Sequence, residues 1–307
     1  MIRVEGLTKR YAGFPALRGI AFSVEAGEIV GFLGPNGAGK TTTLRILSGY
    51  MPSTEGRAKV AGYDVARHSR EVRLRTGYLP EDVPLYRDLT VTGYLRYIGG
   101  LKEIPRSRLR SEVDRVVGLT GLEAVARRQV GKCSRGYRQR TGLAQALLGD
   151  PAVLLMDEPT SGLDPNQVVD VRELIRRLSG EKTVLLSSHI LSEVTQICGR
   201  VVIINEGALV GTGTPEELAR KYGGDAALVL RVTGSVDAGL LGSVPGVVYV
   251  REAGDARYRL GVTDPETVAV AVARAVHEAG GGLLELRPER VDLESVFRRL
   301  TREETGA

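Results

Sequence analysis

The stretch Gly34-Pro35-Asn36-Gly37-Ala38-Gly39-Lys40-Thr41-Thr42 constrains this chain more than any other. It matches G-x-x-x-x-G-K-[ST] through Gly34, Gly39, Lys40 and Thr41, and follows an apolar run, Ile29 to Leu33, that reads as a buried strand. Glycines let the backbone curl until successive N–H groups point at one anion, which bulkier side chains would block. A helix expected from about Lys40 adds the positive end of its dipole at the same place. The stretch therefore reads as a polyphosphate cradle, with Lys40 as a mobile cation for the outer phosphates and Thr41 as a hydroxyl for magnesium.

Further along, Val153 to Met156 is an apolar run ending in Asp157-Glu158, which reads as a parallel core strand delivering two acids at its carboxyl end. Asp157 suits magnesium, and Glu158 can face a terminal phosphate and take a proton from attacking water. Thr183 to Ser187 is the next buried strand, and His189, just beyond it, is placed to hydrogen-bond that phosphate and the water. Glu81 sits at the tip of a loop after the short strand Tyr78-Leu79, where a carboxylate can reach a metal or simply be solvated. Ser134, in Cys133-Ser134-Arg135-Gly136-Tyr137, reads either as a second anion-binding helix start or as a plain N-cap. Tyr11 offers a ring that can stack on a purine or be half-buried, and Ser161-Gly162-Leu163-Asp164-Pro165 is a turn before a helix from Val168 to Leu178.

A chain of 307 residues accommodates two domains. Residues 2 to 8 and Phe22 to Val24 read as strands that give an α/β domain an antiparallel start, residues 85 to 150 as a helical insert, and Val201 to Gly213 as a hairpin. The pattern breaks at Tyr222-Gly223-Gly224-Asp225, which sets the expected domains at 1–222 and 226–307. Beyond the break, strands at 226–233, 247–262 and Leu283 to Arg287 alternate with helices near Val236 to Leu241, Pro265 to Ala279 and Leu293 to Leu300, a small split βαβ pattern. No chemistry is legible there: its one histidine, His277, lies in a helix of alanine and valine.

The net charge is +5 with a pI near 9.2, and only 7 of the 42 basic residues are lysine. The clusters at Arg67 to Arg75, Arg106 to Arg110 and Arg127-Arg128 can touch nucleic acid, anionic lipid or an acidic partner, though most such runs are solvated helix faces, and the scarcity of interleaved aromatics argues against single-strand stacking. Cys133 and Cys198 have neither disulfide density nor zinc spacing, which favours a reducing cytoplasm. No apolar stretch approaches the roughly 18 to 20 residues of a membrane span, and Met1 leads straight into a strand-like segment, so no signal peptide is expected. If the protein works at a membrane, something else crosses it.

With these motifs in order over residues 1 to about 220, the chain resembles the nucleotide-binding subunit of ATP-binding cassette (ABC) transporters. The resemblance implies an α/β P-loop fold with a mixed sheet, an antiparallel β subdomain and a helical subdomain, here followed by a small C-terminal α+β domain. It implies that Tyr11 stacks on adenine and that Gly34 to Thr42, including Asn36, Gly37, Ala38 and Thr42, holds the phosphates of ATP. It implies that Glu81 lies in the Q-loop and, with Thr41 and Asp157, near Mg2+; that Glu158 is the catalytic base; that Asp164 closes the D-loop begun at Ser161; and that His189 is the switch histidine. In such proteins two copies close head to tail, so that Ser134 and Gly136 of one complete the phosphate site of the other, and a polytopic permease anchors the pair to the inner face of the cell membrane. Arg135 and Glu81 stand where the family usually has glycine and glutamine. These departures, Tyr78-Leu79-Pro80-Glu81 and the closing Leu293-Glu294-Ser295-Val296-Phe297 are similar to a subgroup serving separately encoded exporters of drugs, sodium, polysaccharides or gliding-motility components. The alternatives are a soluble ABC ATPase acting on nucleic acid or ribosomes, and a small-molecule kinase. The first is opposed by the lack of a heptad insert, zinc cysteine pairs or a second cassette, and no specific nucleic acid is expected. The kinase would have no use for the 133 to 140 segment.

Overall fold

The computed structural model describes residues 1–222, 226–234, 236–289 and 293–302. It divides into two compact units, Met1–Pro215 rejoined by the chain at Leu300, and Glu216–Arg299. The expected break at Gly223, Gly224 and Asp225 lies outside the described residues.

The first unit opens with β1 (Ile2–Tyr11), β2 (Phe14–Val24), β3 (Ile29–Leu33), α1 (Lys40–Leu47), β4 (Glu55–Val60), β5 (Tyr63–Asp64), α2 (Ser69–Arg75) and β6 (Thr76–Leu79). Three helices follow, α3 (Val91–Leu101), α4 (Arg106–Leu119) and α5 (Arg135–Leu147). The unit continues through β7 (Val153–Asp157), α6 (Pro165–Arg177), β8 (Thr183–Ser188), α7 (Leu191–Ile197), β9 (Arg200–Asn205) and β10 (Ala208–Gly213).

Every residue of β3, β7 and β8 is buried, as expected of strands covered on both faces. They lie together in a sheet of order β10-β9-β3-β8-β7-β6, parallel except for β10. Register aligns their carboxyl ends, Leu33 opposite Ser188 and Asp157 opposite Ser187. One edge of the sheet therefore presents the Gly34 loop, the two acids and His189 side by side, where open α/β sheets bind ligands. A second, antiparallel sheet of order β2-β1-β4-β5 packs over α1, joined to the first through Leu7, Leu17, Phe32, Leu44 and Leu155.

Two elements start several residues earlier than the sequence pattern predicts. Strand β2 begins at Phe14 rather than Phe22, after a turn whose Ala12 and Gly13 both take positive φ. Register shifts along β1 and β2 break the simple alternation that would have exposed this long hairpin. Helix α6 begins at Pro165 rather than Val168, because Asp164 accepts a hydrogen bond from Gln167 N and proline in the first turn has no N–H to leave unsatisfied.

From Glu216 the second unit takes up α8 (Pro215–Tyr222) and continues with β11 (Ala227–Thr233), α9 (Ala238–Gly242), β12 (Val247–Glu252), β13 (Arg257–Val262), α10 (Pro265–Glu278), β14 (Gly282–Pro288) and α11 (Leu293–Arg302) as far as Arg299. Its sheet, ordered β12-β13-β11-β14 and wholly antiparallel, is the split βαβ arrangement. Leu228, Leu230 and Val232 alternate on β11 while Val268, Val272 and Val276 recur every four residues on α10, so strand and helix share one aliphatic core.

Candidate functional site

The loop after β3 is shaped by contacts that only glycine permits. A Cβ on Gly34 would lie 2.3 Å from the Ile204 carbonyl oxygen. Gly39, at φ 108°, sits against Leu17 and the Ala16 carbonyl, where a Cβ would come within 2.7 and 2.8 Å. Helices α3, α5 and α6 are capped by the side chains of Thr90, Ser134 and Asp164, whereas α1 starts from Gly39 with no side-chain cap and no acid in its first turn. Helix α4 is uncapped in the same way, but only the start of α1 follows the glycine loop, where its first N–H groups can meet an anion.

Lys40 is only 6% exposed, and its Nζ donates to the carbonyls of Gly34 at 2.7 Å and Pro35 at 3.2 Å. The same Nζ lies 3.5 Å from Glu158 Oε1, while Glu158 Oε2 lies 3.0 Å from His189 Nδ1. Glu158 is buried and held at φ 47°, a left-handed conformation costing a non-glycine residue about 1–3 kcal/mol. Beside it, Asp157 Oδ1 accepts from Ser187 Oγ at 2.6 Å, and the same Oγ accepts from Glu158 N at 3.0 Å. Asp157 Oδ2 and Glu158 Oε1 are buried without a hydrogen-bond partner. Glu158 Oε1 already has the Lys40 ammonium beside it, so of the two it is Asp157 Oδ2 that is expensive until a cation or a donor arrives, and a hard oxygen ligand of this kind suits magnesium.

A cleft of about 320 Å³ gathers Asn36, Gly37, Gly39, Lys40, Thr41, Thr42, Glu81 and Glu158 with Pro35 and Ala16. Gly34 and Ala38 belong to the same loop, their contacts facing inward on Ile204 and on each other. Asp157 and His189 are not in this lining either but adjoin it through Ser187 and Glu158, whereas Tyr11, Ser134, Gly136 and Asp164 stand apart from it. Tyr11 stands half exposed at the end of β1, with its hydroxyl on Met51 Sδ and Lys9 Nζ 5.3 Å from its ring. Ser134 caps α5 through Tyr137 N, Asp164 caps α6, and Gly136 is buried against Gln167. The residue that sequence reasoning passed over is Ser187, read only as part of a strand; a hydroxyl next to the end of a buried apolar run was its one signal.

A glycine loop between a parallel strand and an uncapped helix start, facing buried acids on neighbouring strand ends, defines a P-loop nucleoside-triphosphatase. The family model for ABC transporters matches residues 17–161. Along nearly its whole length the chain is similar to the daunorubicin resistance ATP-binding protein DrrA3 of Streptomyces coeruleorubidus, with 37% identity over 98% of this chain and 95% of the relative. It is 29% identical to the linearmycin resistance ATP-binding protein LnrL of Bacillus subtilis over 98% of each. A solved ATP-binding subunit of an ABC transporter superposes with a TM-score of 0.67 and 28% identity, covering 73% of this chain and 93% of that one. The chain belongs to the ATP-binding subunits of ABC transporters. It is an ATPase of the exporter type.

Proposed function

We propose that this chain powers export of a small molecule by trapping ATP between two copies of its first unit and releasing them on hydrolysis. The observation that carries the reading is the line Lys40–Glu158–His189, with Glu158 fixed between a cation and an imidazole at the mouth of the glycine loop. In this reading the N–H groups of Gly37 to Thr41 and Lys40 bind the phosphates, Glu158 Oε1 accepts a proton from the attacking water, and His189 holds Glu158 by Oε2. Ser187 keeps Asp157 and the Glu158 backbone in register while this happens. Thr41, Asp157 and Glu81 would hold Mg2+. Among the described residues no group of three or more His, Cys, Asp or Glu side chains forms a metal cage, so the ion would depend on one or two carboxylates together with phosphate oxygens. Once bound, it would offset phosphate charge as the terminal bond breaks.

Ser134 and Gly136 are assigned to the partner copy's nucleotide, which fits their position outside this copy's cleft. No described helix is long and apolar enough to cross a membrane, so the crossing is assigned to a separate permease, with this chain on its cytoplasmic side. The assigned contact is the segment from Glu81 to Tyr94, where Tyr86 is 55% exposed and stands edge-on to Tyr97 at 5.4 Å. Relatives named for daunorubicin and linearmycin resistance support a drug-like cargo. The second unit is an accessory domain for subunit contact or regulation. Phosphate release by the purified chain with ATP and Mg2+ tests the reading: Lys40→Ala should abolish it, and a variant that still turns over ATP would overturn it.

A further inference from the structure

We propose that Arg135 is a positioning residue that holds the loop after Glu158 from within the same chain. The proposal rests on the reading of Glu158 as the hydrolytic base. Arg135 is the first residue of α5, and its guanidinium lies close over Gly162: a Cβ built there would fall 2.1 Å from both its Cζ and Nη2. The same Nη2 donates to the Ser161 carbonyl at 3.4 Å. Gly162 has φ +65°, so the turn takes a shape that leaves a bare Cα for the guanidinium to cover.

The rest of this loop is pinned at other points. Gln139 Nε2 donates to the Pro159 carbonyl at 3.0 Å, Thr160 Oγ1 donates to Glu193 Oε2 at 2.5 Å, and Ser161 N returns to the Glu158 carbonyl at 3.0 Å. Arg135 thus closes the one stretch, Ser161-Gly162, that α7 and the middle of α5 do not reach. A Cβ on Gly136 would fall 2.3 Å from Gln167 Oε1, so the first turns of α5 and α6 are also in contact. Glu158 sits immediately before this block at φ 47°, a conformation that persists only where the surroundings hold it. A large cation at position 135 therefore acts locally, transmitting the placement of α5 to the residue that meets the water.

The test is steady-state ATP hydrolysis by the full-length chain, with thermal melting as a check on folding. Arg135→Ala should lower kcat roughly fivefold and leave KM within about twofold, because it removes an exposed charge-assisted hydrogen bond rather than a nucleotide ligand. Arg135→Lys should recover part of the loss. Gly162→Ala, whose Cβ would evict the guanidinium, should lower kcat by itself, and adding Arg135→Ala to it should cost nothing more. Arg135→Ala with wild-type kcat, or effects of Arg135→Ala and Gly162→Ala that multiply in full, would sink the proposal. A rise in KM would instead assign Arg135 to the nucleotide bound by a partner copy, and would also sink it. Lys40→Ala run alongside separates the two levels: activity surviving there defeats the reading of the whole site, whereas its loss beside an unaffected Arg135→Ala defeats only the tether.

Discussion

Lys40, Asp157, Glu158 and Ser187 are buried at one sheet edge of the first unit, whereas the described buried side chains of the second unit are apolar apart from the Tyr258 hydroxyl, which donates to the Val236 carbonyl. The contrast extends to unmet hydrogen bonds. Among the described residues, Thr76, Tyr78, Asp157, Glu158 and Arg172 have buried atoms without partners, and all five lie in the first unit. An unpaired buried polar group costs about 1–3 kcal/mol, so a fold keeps one where something else completes it. Among the described residues the second unit leaves no such atom. The first leaves Asp157 Oδ2 open near the glycine loop, and Glu158 Oε1 faces only the Lys40 ammonium.

The comparison breaks first at Glu158. Glu158→Gln keeps the shape and removes the proton acceptor, so phosphate release should fall about a hundredfold or more while ATP binding persists. Size-exclusion chromatography with ATP should then show the paired form accumulating. A monomeric, active variant would mean that the buried acid is structural. Ser187→Ala comes next: it removes the hydrogen bonds to Asp157 and from Glu158 N together, and turnover should drop roughly tenfold, in the range that follows removal of groups supporting metal ligands. Unchanged turnover would show that the register of β7 and β8 alone orders the two acids.

In the second unit the corresponding experiment reads stability. Val272, fully buried between α10 and its sheet, loses two methyl groups in Val272→Ala, which should destabilise this unit by about 2 kcal/mol. ATP turnover per folded molecule should stay the same. A fall in kcat without unfolding would show that this aliphatic core is coupled to the phosphate site.

The parts of the molecule legible in sequence are those set by neighbours along the chain. Ile29 to Leu33 followed by glycines, and Val153 to Met156 followed by acids, declare strand, loop and charge in one short window, and the P-loop fold follows from them. Partners set by strand pairing are not legible this way. Ser187 meets Asp157 only because β7 and β8 pair in that register, and Gly34 must be glycine because of Ile204, a residue on another strand. Helices α7 and α8 and strand β4 are too short or too polar to announce themselves, since their place is decided by tertiary packing. The hydroxyl of Tyr11, resting on Met51, is likewise a contact that no spacing argument would supply.

Lys102 is the smallest test and the one that limits the comparison, because it is a half-buried charge in the first unit with no connection to the phosphate cleft. Its Nζ donates to the carbonyls of Leu148 at 2.9 Å and Ala146 at 3.3 Å, and burial pulls its pKa down from 10.5 to about 8. Below pH 8 both the folded and unfolded chains hold the proton, and the desolvation penalty on the folded form is complete. Between about pH 8 and 10.5 the folded form gives up its proton while the unfolded form keeps it, so stability should rise with pH across that window. Urea unfolding of wild type and Lys102→Met at stepped pH isolates the effect, since the other groups titrating there are common to both. The rise should be present in wild type and reduced in Lys102→Met. Equal slopes would mean that the two carbonyls solvate the ammonium as well as water does, and that a charge in this unit can be buried without strain far from any ligand.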